Sequence, residues 1–263
     1  MNLIDSHAHL DMEEFDPDRD DVVRRAFDAG VGTILCPLDV SSERSIAITL
    51  DLAAKYPTIC AAAGLHPHQA KTLHERLLSK IQELAAAKKI LAIGEIGLDF
   101  HYNFSTPDEQ RMAFRRQLSL AQELGLPAII HSRDAGREIR AAVEEERFKQ
   151  GGVLHSFTED WDFAQGMLDQ NFLISFSGII TFPSAHPLRE IAKKLPLDKI
   201  LVETDAPYLT PVPFRNAKKR NEPALVAETA KLLAGLKNIP LEGFAEAVQK
   251  NFSSLFPSCF RVV

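Results

Sequence analysis

Eight short runs rich in β-branched and other apolar residues, each followed by a longer segment with apolar residues at helical spacing, constrain this chain more than any other feature. The strand runs are Asn2 to Ser6, Gly32 to Pro37, Thr58 to Gly64, Ile90 to Ile96, Pro127 to Ile130, Gly152 to Leu154, Phe172 to Phe176 and Ile200 to Glu203. The helical segments between them are Pro17 to Ala29, Ser42 to Lys55, Thr72 to Ala87, Thr106 to Leu124, Asp134 to Phe148, Trp161 to Gln170 and Pro187 to Leu195, with an eighth from Pro223 to Leu236. Asn221 ahead of Glu222 and Pro223 reads as a helix start, and Gly30 and Gly125 read as helix stops. Strict alternation implies parallel pairing, because parallel neighbours need a crossover of a dozen or more residues. Eight such units across about 240 residues fit a closed (β/α)8 TIM barrel better than two open sheets. Leu241 to Phe256 is surplus to the eight and is expected as an extra C-terminal helix outside the barrel. A doubly wound sheet would want a glycine-rich turn after its first strand, and Asp5-Ser6-His7-Ala8-His9 is not one. No linker or change of composition marks a boundary, so residues 1–263 are expected to form a single domain.

Composition narrows the partners. Thirty basic against 36 acidic residues give a net charge of −6, which argues against binding nucleic acid by bulk attraction. A phosphate-bearing substrate would need local cations, either bound metal or a patch such as Arg215, Lys218, Lys219 and Arg220. No apolar run approaches the roughly 18 residues of a membrane span. The expectation is a cytoplasmic protein with no membrane association and no obligate protein partner. Cys36, Cys60 and Cys259 are odd in number and widely spaced, and all three are read as reduced and inert.

In a barrel the chemistry sits at the carboxyl ends of the strands. Six of the nine histidines fall there: His7 and His9 after the first run, His66 and His68 after the third, His131 after the fifth and His155 after the sixth. Glu95 falls in the fourth run and Asp205 follows the eighth. Chance would give about 0.3 His-x-His pairs in a chain with nine histidines in 263 residues, and this one has two. Residues two apart on a strand point to one side, so His7 and His9 can offer two imidazoles to one ion.

Several segments together resemble one family, the TatD-type metal-dependent deoxyribonucleases of the amidohydrolase-like barrels. Ile4-Asp5-Ser6-His7-Ala8-His9-Leu10 resembles its opening strand and Gly64-Leu65-His66-Pro67-His68 its third-strand motif. Gly94-Glu95-Ile96-Gly97-Leu98-Asp99 is similar to the segment carrying its bridging carboxylate. His131-Ser132-Arg133-Asp134-Ala135, Leu154-His155-Ser156-Phe157-Thr158 and Glu203-Thr204-Asp205-Ala206-Pro207 are similar to the remaining ligand strands, and Arg220-Asn221-Glu222-Pro223 to the tail motif. The resemblance implies that His7, His9 and Asp205 bind one divalent ion, that His131 and His155 bind a second, and that Glu95 bridges both. It also implies attack by a metal-bridged hydroxide on a phosphodiester bond, with DNA ends as substrate and 3′-5′ exonuclease action. Where the family often carries tyrosine after the aspartate of the Glu95 segment, this chain has Phe100 ahead of His101 and Tyr102, so a phenolic contact is lost or shifted. The loop Phe214 to Lys219 also departs from the usual short glycine-containing stretch.

Four histidines and two carboxylates exceed what one tetrahedral ion uses, so the donor set itself points to two divalent cations, with Zn, Mn, Fe and Mg all open. Asp205 is assigned as general base, with a ligand-only role as the alternative. Glu95 is assigned as the second catalytic carboxylate. His66, His68 and Arg133 are assigned to substrate phosphate, against a salt bridge to Asp134 or a neighbouring helix for Arg133. Asp99 and Glu203 are candidates for orienting the ligating imidazoles. Trp161 is either a base-stacking surface or ordinary packing. Two other functions stay open: an amide, ester or lactone hydrolase on the same centre, and a non-catalytic metal-binding barrel.

Overall fold

The computed structural model describes residues 2–102, 104–217 and 220–260; Lys218 and Lys219 of the expected basic patch lie outside them. Eight strands run β1 Leu3–Asp5, β2 Val31–Asp39, β3 Ile59–Gly64, β4 Ile93–Asp99, β5 Ala128–Arg133, β6 Gly152–Leu154, β7 Phe172–Phe176 and β8 Ile200–Val202. They form one parallel sheet in the order β1 to β8, so the fold is of the TIM-barrel class expected. The helices are α1 Arg19–Asp28, α2 Glu43–Lys55, α3 Glu75–Ala86, α4 Pro107–Leu124, α5 Gly136–Glu145, α6 Trp161–Leu168, α7 His186–Lys194, α8 Val226–Lys237 and α9 Leu241–Leu255. Strand boundaries moved most at β4, which starts three residues later than the expected run and closes at Asp99. Its glycines obscured the pattern, and they are there for close approach. A Cβ on Gly97, whose φ is +143°, would collide with the carbonyl of His131 on β5, opposite which Gly97 sits in the register.

The chain divides into two compact units. The first comprises Met1–Cys36, Tyr56–Cys60 and Ile174–Val263. Within it the Ser6 amide donates to Val202 O (3.0 Å), and Ala8 and Ala206 form a further parallel bridge, so β1 and β8 are neighbours. Helix α9 packs on β1, β8 and α8 through Phe244, Val248 and Phe252, spaced i, i+4, i+8 and all fully buried. Burying each phenylalanine contributes about 1.5–3 kcal/mol. Asn251 on the same helix donates to Leu197 O and Ile200 O (2.8 and 2.9 Å), tethering it to the start of β8.

The expectation of three reduced cysteines is overturned here. Cys60 and Cys259 form a disulfide with their Cα atoms 6.1 Å apart, while Cys36 is free and buried. A sequence separation of 199 residues hid this pairing, since it depends on where the C-terminal 3-10 turn comes to lie against the start of β3.

The second unit, Pro37–Lys55 and Ala61–Leu173, carries β3 to β6. Its longest helix, α4, opens with a capping box, in which the Thr106 side chain accepts from the Glu109 amide and Glu109 accepts from the Thr106 amide, and closes at Gly125 in the left-handed region. Two glutamines on this helix, seven residues apart and so on one face, are fully buried. Gln117 accepts from the Leu65 amide (2.7 Å) and donates to the Leu65 carbonyl (3.1 Å). Gln110 does the same for Asp99 (2.8 and 2.9 Å) and also donates to Ser105 O (3.0 Å). Each amide side chain thus completes the backbone hydrogen bonding where a strand runs out, beside His66 in one case and at Asp99 itself in the other.

Candidate metal centre

The first unit brings His7, His9 and Asp205 together. His7 and His9 follow β1, and their Nε2 atoms approach to 3.1 Å. His9 Nε2 lies 3.5 Å from Asp205 Oδ1. Two features place Asp205. Its amide donates to His7 O (2.9 Å), and its backbone sits in the left-handed region at φ +55°. Ser156 and Asp134, which follow His155 and Arg133, share that conformation at φ +42° and +54°. Such strain persists only where the surroundings over-determine it, and it clusters at functional sites.

Behind Asp205 lies a scaffold that sequence reasoning missed. Asp5 is fully buried and accepts from the Thr204 amide (2.8 Å) and the Thr204 hydroxyl (2.6 Å). Burial pushes the Asp5 carboxyl up to about 8 against the lowering effect of those bonds. Asn221 Nδ2 donates to Thr204 O and Tyr208 O (2.9 and 2.6 Å), fastening the chain on both sides of Asp205. The signal available was an aspartate inside an otherwise apolar strand run, where only a partnered carboxyl is tolerated.

The second unit gathers a denser set around Glu95. His131 Nδ1, His155 Nε2 and His66 Nε2 lie 2.8, 2.9 and 3.4 Å from Glu95 Oε1. The donor atoms of His66, Glu95 and His131 all fall within 4.8 Å of one another. Burial opposes ionisation of Glu95, but the charge of His155 and the hydrogen bonds from His131 and His155 outweigh it and hold its carboxyl well below the usual range. Burial likewise pulls His66 down to about 4, so it is a neutral imidazole with a lone pair to offer at pH 7. A buried anionic oxygen crowded by imidazole nitrogens is a donor set suited to a divalent cation, and the residues present fit one.

Asp99 closes β4 and behaves as an orienting carboxylate: its Oδ2 lies 2.9 Å from His68 Nε2 and 3.2 Å from His131 Nε2. His66, expected at substrate phosphate, stands within the Glu95 cluster, and His68 stands one contact further out, on Asp99. Arg133 is not salt-bridged to Asp134, which pairs with His101 (3.6 Å); its guanidinium lies 4.8 Å from the Tyr102 ring centroid. Arg220 is engaged elsewhere, with its two terminal nitrogens on the Asp18 carboxylate (2.7 and 2.9 Å) and one also on Glu14 O (2.6 Å). Arg215 stacks on Phe182, with 3.9 Å from its guanidinium carbon to the ring centroid. Glu203 is buried, and Trp161 is half-buried at the start of α6.

A parallel barrel with clustered imidazoles and carboxylates at the carboxyl ends of its strands belongs to the metal-dependent hydrolases. Within that class the family profile described as "TatD related DNase" matches residues 4–257, and the chain belongs to that family. It is 40% identical over 256 residues to an uncharacterized metal-dependent hydrolase, YabD, of Bacillus subtilis (strain 168), covering 97% of this chain and 98% of the relative. It is 36% identical over 262 residues to the 3′-5′ ssDNA/RNA exonuclease TatD of Shigella flexneri, covering 98% and 100%. The solved structure of the TatD homolog YjjV from Escherichia coli K12 superposes with a TM-score of 0.90 at 32% identity, over 97% of this chain and 98% of that one. Among the described residues no helix is long and apolar enough to cross a membrane.

Proposed function

We propose that this hydrolase is a deoxyribonuclease that removes mononucleotides from the 3′ end of single-stranded DNA, using two divalent cations. The observation that carries the reading is Glu95, a buried carboxylate with three imidazoles at 2.8–3.4 Å, in a family whose relative of 36% identity is named an exonuclease. His7, His9 and Asp205 would hold one ion, and Glu95, His131 and His155 the other, with His66 an additional donor to the second. When bound, such ions supply positive charge beside the phosphorus and acidify water. The protein's own residues do the rest. Asp205 takes the proton of the attacking water on a carboxylate oxygen and returns it to the sugar oxygen that departs as the old P–O bond breaks, His68 and Arg133 bind non-bridging phosphate oxygens, and Asp99 keeps His68 and His131 in orientation. A net charge of −6 is compatible with this only because the cationic groups are local.

The test uses 5′-labelled single-stranded DNA, linear and circular, with manganese, magnesium or zinc added. A stepwise ladder from linear DNA and an inert circle are expected. Asp205→Asn should lower kcat by at least 100-fold while changing KM by less than about threefold, because it removes a proton acceptor and keeps an oxygen donor. Ready cleavage of the circle overturns the exonuclease mode. Inert DNA beside a hydrolysed ester or lactone moves the protein to carbonyl substrates.

A further inference from the structure

Phe104 is 57% exposed and Tyr102 is 41% exposed, in the segment that joins β4 to α4. Exposed aromatics are common singly; these form an ordered set. The two rings lie 5.7 Å apart and 28° from parallel. The His68 ring meets Phe104 at 4.8 Å and Tyr102 at 5.6 Å, both edge to face, and the Arg133 guanidinium lies over Tyr102. From there the side chains connect without a break to the metal-ligand cluster of the same unit, from His68 to Asp99 (2.9 Å), from Asp99 to His131 (3.2 Å) and from His131 to Glu95 (2.8 Å).

The set is also held in place. Asp99 Oδ1 accepts from the amides of His101 and Tyr102 (3.0 Å each), which fixes the near flank of the segment. On the far flank the Ser105 hydroxyl donates to His68 O (2.9 Å) and accepts from the Lys71 amide (3.1 Å). Rings positioned by backbone hydrogen bonds lose little further freedom when they are covered, which is the condition for a binding surface rather than an idle apolar patch. Phenyl and phenol faces accept any planar base, and an arginine that stacks through its face keeps its in-plane N–H groups for a phosphate.

We infer that Tyr102, Phe104 and Arg133 form a sequence-tolerant stacking subsite for the terminal nucleobase of single-stranded DNA, beside the Glu95 cluster. The subsite rests on the nuclease reading and supplies its substrate recognition: the base stacks on the aromatic pair while its phosphate is drawn towards Arg133 and the metal ligands.

The experiment has a binding arm and a turnover arm. By calorimetry on the metal-loaded protein, wild type should bind deoxyadenosine monophosphate at least fivefold more tightly than 2-deoxyribose 5-phosphate. Phe104→Ala should shrink that ratio to below twofold, and Phe104→Tyr should retain it. In turnover, Phe104→Ala should lower kcat/KM about tenfold on DNA ending in a base, equivalent to ~1.4 kcal/mol, and by less than twofold on DNA ending in an abasic residue. A wild-type protein indifferent to the base, or a Phe104→Ala variant with an unchanged ratio, overturns the subsite even if DNA is cleaved. A base preference that Phe104 controls, in a protein that cleaves no DNA, keeps the subsite and removes the nuclease reading.

Discussion

Replacing Gln117 with leucine should cost about 2–3 kcal/mol of stability, although the side chain lies outside the candidate site. The carboxamide is fully buried and serves both backbone groups of Leu65, accepting from its N–H at 2.7 Å and donating to its C=O at 3.1 Å. Leucine matches the volume and removes both partners. An orphaned buried backbone group costs about 1–3 kcal/mol, so two at the middle of that range cost about 4, and the added apolar burial returns about 1–2, leaving about 2–3. For a chain of 263 residues, an unfolding entropy near 2.1 cal/mol/K per residue converts this into a fall in Tm of about 4–5 °C. Thermal and urea unfolding of the metal-free protein measure it, with an unchanged m-value as the control for the denatured state. Gln117→Glu, equal in shape but unable to donate when ionised, should cost no less. A loss below about 0.5 kcal/mol for the leucine variant would show that Leu65 finds other partners, and that α4 does not act as a substitute strand for β3.

Elemental analysis of purified protein should give two equivalents of divalent metal, and Glu95→Gln should lower the content. Loss of the equivalent assigned to Glu95, His131 and His155 is the expected outcome; retention of both would remove Glu95 from the ligand set. Asp18 is held well below the usual carboxylate range, chiefly by the Arg220 guanidinium, with Arg25 adding to it and burial opposing. A depressed acid stabilises the folded state above its unfolded value of about 3.9 and loses that contribution as pH falls below it. The difference in urea midpoint between wild type and Asp18→Asn should therefore be constant from pH 8 to 5 and shrink from pH 4 downwards; a pH-independent difference would refute the ionic reading.

The fold was legible because eight repeats of one local pattern leave few topologies open, and the repeats survived boundary shifts of a few residues at β2, β4 and β5. The metal-ligand candidates were legible for a related reason. Histidine is uncommon, and a strand end is a specific address, so each of His7, His9, His131 and His155 could be placed from sequence alone. What could not be read is what depends on tertiary proximity between polar groups. Asp5 looked like one residue of a motif, and its bonds to Thr204 needed β1 and β8 side by side. Gln110 and Gln117 lie within the helical segment from Thr106 to Leu124, and nothing in their neighbours says that two strand ends will need hydrogen-bond partners. The disulfide joins residues 199 apart and leaves no local trace.

Two arginines, one closing β5 and one in the loop after β8, show why positive charge alone is a poor guide to candidate substrate contacts on this chain. Arg220 reads as available from its basic sequence neighbours, yet Asp18 takes both of its terminal nitrogens and Phe15 lies under its guanidinium at 4.8 Å. Its role is to fasten the segment after β8 to the start of α1, and a phosphate there would have to displace a bidentate carboxylate. Arg133 reads as a phosphate contact with a salt bridge to the adjacent Asp134 as the alternative, and Asp134, at φ +54°, pairs with His101 instead. The guanidinium of Arg133 rests on the face of Tyr102, a contact that restricts its rotation without occupying its hydrogen-bonding edge. The distinction between the two is geometric, a fork closed on a carboxylate against a fork left open on an aromatic face. It makes Arg133, rather than Arg220, the cation whose removal should weaken phosphate binding.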